Sequence, residues 1–378
     1  MSGPVSVYLD YNATAPIRPE AASAVALALE VGANPSSVHA GGRRARSLIE
    51  QARETVAEMV GASMASVIFT SGGAEANSLA LRSACASGFG PLIVSAAEHE
   101  TVLENARALG PVELWPVDDE GRADLHWLAD RLARAGGGRP MVALMLANNE
   151  TGVIQPVAEA GALVRDVGGW LHVDAVQAGG KLDIDIKALS ATSLALSAHK
   201  LGGPQGVGAL VAGAGGVMAR DLHGGGQERG RRAGTENLGG IVGFAAAIKA
   251  SADRGWMVEA AAERALAEAR LQALGAVVIA ASSPRLANTS CIAVDDWPSE
   301  LQVMALDLAG VMVSAGAACS SGKVKASRVV QAMGLGGLAG GALRVSSGWA
   351  SGRGDWARFT EAWSELHARR GAGALSAA

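Results

Sequence analysis

The chain has 378 residues, of which 49% are hydrophobic and 18% charged, and its formal charge is -4. That composition belongs to a globular protein long enough for two closely associated domains. It argues against a broad nucleic-acid footprint, which takes clustered Lys and Arg, and its apolar runs fall short of the ~20 residues of a bilayer-spanning helix.

The first segment runs from Met1 directly into a strand-like stretch over 5–9, without a cationic start, apolar stretch and small-residue cleavage site. The expectation is therefore no signal peptide and a cytoplasmic protein without membrane or nucleic-acid partners. Between about residues 64 and 212 short apolar runs alternate with longer helical patterns, which predicts a mostly parallel sheet covered by helices. Strands are expected over 66–70, 91–95, 112–116, 141–147, 170–173, 193–197 and 208–211. Polar residues cluster after several of their C-terminal ends, where open α/β sheets place ligands. Past a Gly-rich stretch over 224–243, residues 244–274 read as one long helix leading into a second domain. That domain has an α+β pattern, with strands near 276–280, 290–294 and 343–346, and the tail over 371–378 is expected to fray.

Three strand ends carry candidate chemistry. The first runs through Thr70-Ser71-Gly72-Gly73 into a helix beginning at Ala74, where exposed N–H groups suit an anion; Gly-Gly turns also open many helices that bind nothing. The second is His172-Val173-Asp174-Ala175-Val176-Gln177. An acid there suits the protonated nitrogen of a heteroaromatic ring, although an isolated Asp is commonly a helix cap. The third is Ser197-Ala198-His199-Lys200, in which a lysine, ordinarily a solvated residue, follows an apolar strand and suits a carbonyl cofactor. Gly334 to Ala339 formally fits a dinucleotide-binding pattern but lacks a preceding strand. The seven histidines have no zinc-site spacing, so no metal is expected. The cysteines, Cys85, Cys291 and Cys319, are odd in number and lack C-x-x-C spacing, as suits reduced thiols.

With these elements in place, the chain resembles the pyridoxal-phosphate-dependent cysteine desulfurases (NifS/IscS-like) of the class V aminotransferase group. The marks span nearly its whole length: Tyr8 to Thr14, Asn34 to His39, Thr70 to Gly73, Glu98-His99, Asn148 to Gly152, His172 to Asp174, Ser197 to Lys200, His223 to Arg229, Arg232 to Asn237, and Ala318 to Gly322. The resemblance implies an α/β protein with the fold type I of pyridoxal-phosphate-dependent transferases. Its large cofactor-binding domain, over 15–251, has a mostly parallel seven-stranded sheet. The smaller α+β domain, from 1–14 and 252–378, carries the catalytic cysteine loop.

The resemblance also implies roles. Lys200 is expected to bind the aldehyde of pyridoxal 5'-phosphate and shuttle a proton, Asp174 to pair with the ring nitrogen, and His99 to stack on the ring. Asn149 and Gln177 are expected at the phenolic oxygen, and Gly73, Ala74, Ser197 and His199 around the phosphate. Thr235 is expected to reach the partner subunit's cofactor in a homodimer. Arg344, with Asn149 and Asn12, is expected to bind the substrate, its planar guanidinium matching a carboxylate. Cys319 is expected to take the sulfur of L-cysteine as a thiolate, leaving L-alanine, and the persulfide to pass to a sulfur acceptor or iron-sulfur scaffold protein, with iron-sulfur cluster assembly the expected use. Cys85 and Cys291, within apolar patterns, fit small buried hydrophobes, whereas Cys319 sits among small residues that suit a moving loop, near Lys323 and Lys325.

Three departures stand out: Ala74 replaces a common Thr, Ala317 a common Ser, and Lys325-Ala326-Ser327 an acidic-Pro-Ser run. The alternatives are a selenocysteine lyase, an aminotransferase of the same family, or a low-activity sulfur-carrier subunit.

Overall fold

The computed structural model describes residues 6–134, 136–316 and 326–376, the side chains of 371–376 excepted. A short strand, β1 (Val7–Tyr8), precedes two helices, α1 (Pro19–Leu29) and α2 (Ala40–Met59). Strands and helices then alternate as β2 (Val67–Thr70), α3 (Gly73–Ala86), β3 (Leu92–Ser95), α4 (Glu100–Leu109), β4 (Val112–Trp115), α5 (Leu125–Ala133), β5 (Met141–Ala143), α6 (Val157–Asp166) and β6 (Trp170–Asp174). With β7 (Ser193–Ser197) and β8 (Gly208–Ala212) they complete a seven-stranded sheet in the order β2-β8-β7-β6-β5-β3-β4. Only β8 runs against its neighbours, pairing antiparallel with both β2 and β7; the other pairs are parallel.

The near-continuous apolar runs follow from burial on both faces. The two-residue period sorts side chains into two cores. Val67, Phe69, Val142, Val173 and Leu196 meet α2, α5 and α6 on one face. Ile68, Val94, Ala143, Trp170 and Ala195 meet α3 and α4 on the other.

Two expected elements are cut short. The run over 141–147 is a strand only as far as Ala143. Its continuation still bonds to β6, Leu144 N–H donating to His172 O at 3.1 Å and Leu146 N–H to Asp174 O at 2.8 Å, before it turns at Asn148. The helix expected over 244–274 is two helices, α7 (Leu238–Ala250) and α8 (Trp256–Ala273). Between them, Ser251 Oγ donates to Ile248 O at 2.8 Å and Asp253 Oδ1 accepts from Gly255 N–H at 3.0 Å. These short polar side chains offer the backbone an alternative to the helical ladder.

The remaining elements are β9 (Val277–Val278), β10 (Thr289–Ala293), α9 (Ser299–Leu308), β11 (Val311–Met312), β12 (Ser314–Ala315), α10 (Arg328–Ala332), β13 (Leu343–Ser346) and α11 (Asp355–Ser376). Four of them form an antiparallel sheet, β12-β13-β10-β9, while β1 pairs with β11 and Asp10 bridges to Ser346. The N-terminal strand thus joins the C-terminal unit, whose core includes Leu9, Leu343, Trp356, Phe359 and Trp363. α11 continues to Ser376, past the Gly371 where the tail is expected to fray. Gly334 to Ala339 follows α10 rather than a strand, so the dinucleotide pattern has no βαβ setting, as expected. Among the described residues, no helix is long and apolar enough to cross a membrane.

Candidate active site

The C-terminal ends of β2, β6 and β7 face the segment from Asp10 to Ala13 and β13 across a cavity of about 350 Å³. Its walls bring together Asn12, Gly73, Ala74, His99, Asn149, Asp174, Gln177, Ser197, His199, Lys200 and Arg344. Thr235 is not among them. It is exposed and lines a separate cavity with Gly206 and Arg232. Cys319, with Ala317, Lys323 and Lys325, lies outside the described residues; the nearest described residue before it, Gly316, lines the same cavity as Lys200.

Asp174, at the end of β6, closes a buried chain of hydrogen bonds whose direction can be worked out. Trp170 Nε1 has only a proton to give and donates to Ser193 Oγ at 2.9 Å, and that hydroxyl lies 2.9 Å from His172 Nδ1; because Asn77 gives its NH2 to Asp174, its Oδ1 accepts from His172 Nε2, which leaves Nδ1 of the neutral ring to accept from the serine. Burial pushes His172 down to about 4, keeping the imidazole neutral. Its remaining proton, on Nε2, meets Asn77 Oδ1 at 2.9 Å, and the Asn77 amide donates to Asp174 Oδ2 at 2.8 Å. Asp174 Oδ1 accepts from Val176 N–H at 3.0 Å. A carboxylate has about four acceptor positions, so capacity remains for a donor in the cavity.

Lys200 lies in the turn after β7, where Nζ donates to Asn12 O at 2.6 Å and Ala13 O at 2.9 Å. Beside it, His199 Nδ1 is 3.1 Å from Thr14 Oγ1, and burial with the neighbouring Lys200 charge lowers this imidazole to about 4. His99 caps α4: its Nδ1 accepts from Thr101 N–H at 3.1 Å, which places the ring proton of the neutral form on Nε2. Burial also lowers His99.

At the end of β2, α3 begins at Gly73 with no side chain capping it. A Cβ at Gly73 would come within 2.7 Å of Val176 Cγ2, and one at Gly208 within 2.7 Å of the Gly72 carbonyl carbon, so glycine permits both close approaches. Glu75, in the first turn, is held to Arg232 Nε at 2.9 Å. The positive end of the helix dipole thus faces the cavity at Gly73 and Ala74.

The opposite wall comes from distant segments. Arg344 Nη2 pairs with Asp10 Oδ1 at 2.7 Å and Nη1 donates to Asn149 O at 3.3 Å, while Nε has no partner among the described residues. Asn12 Nδ2 donates to Asn149 O at 3.2 Å and Thr289 Oγ1 at 3.0 Å. Glu98 is buried, with Oε1 accepting Met145 N–H and Oε2 unpartnered among the described residues. Burial, reinforced by the Asp174 charge, holds this carboxyl well above the usual range. Of the other cysteines, Cys85 lies in α3 and Cys291 in β10, and burial raises both thiols, Cys291 to about 12. Neither is poised as a thiolate.

Asn77 and Lys181 were missed as site residues, and Glu98 entered only as part of a motif. Asn77 sits four residues past Gly73, one turn on along the same helix face, and Lys181 bears the same relation to Gln177. A polar residue at that offset, in the apolar helix α3 for Asn77 and in the turn after β6 for Lys181, is the signal that finds them. Chemically, the cavity combines a helix start for an anion, a carboxylate for a protonated ring nitrogen, an amine for a carbonyl, and a guanidinium for a carboxylate.

Three comparisons with known proteins bear on the family of the chain. Residues 7–355 match the family model described as aminotransferase class-V. The chain is 41% identical over 343 residues to a cysteine desulfurase of Cereibacter sphaeroides, covering 86% of each protein. It is 36% identical to the cysteine desulfurase IscS of Dictyoglomus turgidum over 90% of this chain and 89% of that one. A solved NifS-like protein from Rickettsia africae superposes with a TM-score of 0.87 at 30% identity, covering 96% of this chain and 99% of that one. The chain therefore belongs to the aminotransferase class-V family and, within it, to the cysteine desulfurases.

Proposed function

We propose that the protein binds pyridoxal 5'-phosphate in this cavity and transfers sulfur from L-cysteine to Cys319, releasing L-alanine. The observation that carries the reading is the meeting of Asp174, Lys200 and the uncapped start of α3 around one cavity, with Arg344 on the opposite wall. That donor set fits a flat, phosphorylated, heteroaromatic aldehyde. When bound, the cofactor supplies an electron sink for charge developing at the substrate α-carbon.

The residues do the rest. Asp174 keeps the ring nitrogen protonated, its own orientation fixed by Asn77 and Val176. His99, as a neutral imidazole, would hold the ring, and Gln177 and Asn149 would contact the phenolic oxygen. Gly73, Ala74, Ser197 and His199 surround the phosphate. Arg344, Asn12 and Asn149 orient the substrate carboxylate, and the Lys200 amine takes the α-proton. Cys319 follows Gly316 by three residues, at most about 11 Å of chain, and receives the sulfur as a thiolate.

Thr235, exposed on a separate cavity, serves the cofactor of a partner subunit, which makes the active species a homodimer. The same reading divides the chain into a large domain over 15–251 and a small one from 1–14 and 252–378. The bound sulfur passes to an acceptor or scaffold protein in the cytoplasm, with iron-sulfur cluster assembly as its use. The test is turnover of L-cysteine with a reductant by the pyridoxal-phosphate-loaded protein. Equal amounts of alanine and sulfide, lost in Lys200→Ala, are expected; an inactive, fully loaded parent would contradict the reading.

A further inference from the structure

Lys181 has none of the roles described so far, yet it lies behind the cavity with 7% of its surface exposed. Its amine donates to Gln177 Oε1 at 3.1 Å and to Asn12 Oδ1 at 3.4 Å. Burial, helped by the charges of Lys200 and Arg344, lowers it to about 7. In either protonation state the amine has hydrogens for two oxygens, and in the charged state it can only donate. Both amide oxygens therefore turn toward Lys181, and both NH2 groups turn away.

The consequences reach the reacting groups. Gln177 Nε2 donates to Asn12 O at 2.8 Å, the same oxygen that takes the Lys200 amine at 2.6 Å. Asn12 Nδ2 reaches Asn149 O and Thr289 Oγ1. An amide's oxygen and nitrogen are nearly alike in size, so only its partners decide which way it points. The Lys181 amine at Oε1 and the Asn12 carbonyl at Nε2 together set which way the Gln177 amide points.

We propose that Lys181 is a positioning residue, whose amine fixes the side-chain amides of Gln177 and Asn12 so that Gln177 meets a phenolic oxygen as a donor. The inference rests on the pyridoxal-phosphate reading, and it adds a residue that acts through two others.

The test loads the parent, Lys181→Met, Gln177→Leu and the double variant with pyridoxal phosphate, and records the visible absorption band and the cofactor dissociation constant. A band shifted in Lys181→Met is expected, with a dissociation constant about tenfold higher, the size of one lost buried hydrogen bond. Because both residues act on one contact, the double variant is expected to be no weaker than Gln177→Leu alone. Gln177→Glu keeps an acceptor for Lys181 but has no NH2, so it provides a second reading should Lys181→Met fail to fold; it too is expected to weaken the cofactor and shift the band. An unchanged band in Lys181→Met, additive effects in the double variant, or an unaltered Gln177→Glu would each overturn the inference. A parent with no visible band would overturn the cofactor reading itself, and this inference with it.

Discussion

The two walls of the cavity are built on different principles. The sheet wall, from Ser193 through His172 and Asn77 to Asp174, hangs on adjacent strands and one helix, and each donor in it has one direction. The seam wall, around Asn12, Gln177, Lys181, Asn149 and Arg344, joins segments that are far apart in sequence and meets β10 at Thr289. Secondary structure holds the first in place, whereas the second exists only once the N-terminal strand and the C-terminal sheet have docked. Breaking the sheet wall is therefore expected to cost stability and cofactor binding, and breaking the seam to cost substrate handling.

The largest effect expected on the sheet wall comes from acid. His172 is held near 4 against an ordinary 6.5, so the folded state binds this proton less readily than the unfolded chain. Its contribution, about 3 kcal/mol, is complete above pH 6.5 and is lost as pH falls toward 4. Chemical denaturation of the cofactor-free protein across that range measures it, and a flat profile would contradict a neutral His172. Asn77→Ala breaks the chain at its middle and leaves a buried proton of His172 and a lone pair of Asp174 unmet. About 2 kcal/mol of stability is expected to go with it, whereas Asn12→Ala is expected to raise the KM for cysteine with a smaller loss of stability. Equal stability losses in the two would erase the contrast between the walls.

Glu98→Gln sharpens the comparison at the border between them. The raised Glu98 carboxyl binds its proton more tightly folded than unfolded. Its cost to stability therefore appears as pH rises above the ordinary carboxylate range. The amide keeps an acceptor for Met145 N–H, so the variant is expected to melt higher than the parent at pH 8 and close to it at pH 4. The smallest effect is expected from Ala74→Thr, which adds a hydroxyl near the phosphate site. Cofactor affinity is expected to improve about threefold to tenfold, the range of one hydrogen bond, as read by equilibrium titration.

The contrast also explains what could be read from sequence. Asp174 and Lys200 were legible because one ends and the other follows a strand whose two-sided burial produces an apolar run, and the run points to its own end. Gly73 was legible for the same reason. Asn77 and Lys181 were not, because each lies one turn along a helix or turn and gains its meaning from a partner about a hundred residues or more away. The break after α7 was missed because residues 244–274 keep a helical composition, while Ser251 and Asp253 stop the ladder with side-chain hydrogen bonds. The pairing of Arg344 with Asp10 joins positions 334 residues apart, and no local pattern announces it.

The most direct test of the account is to find where the sulfur goes. The pyridoxal-phosphate-loaded protein is given L-cysteine without reductant, alkylated and digested, and the three cysteine peptides are weighed. One persulfide is expected, on Cys319, together with one alanine per active site, and neither in Lys200→Ala. A persulfide on Cys85 or Cys291, or full alanine and sulfide production by Cys319→Ala, would contradict it.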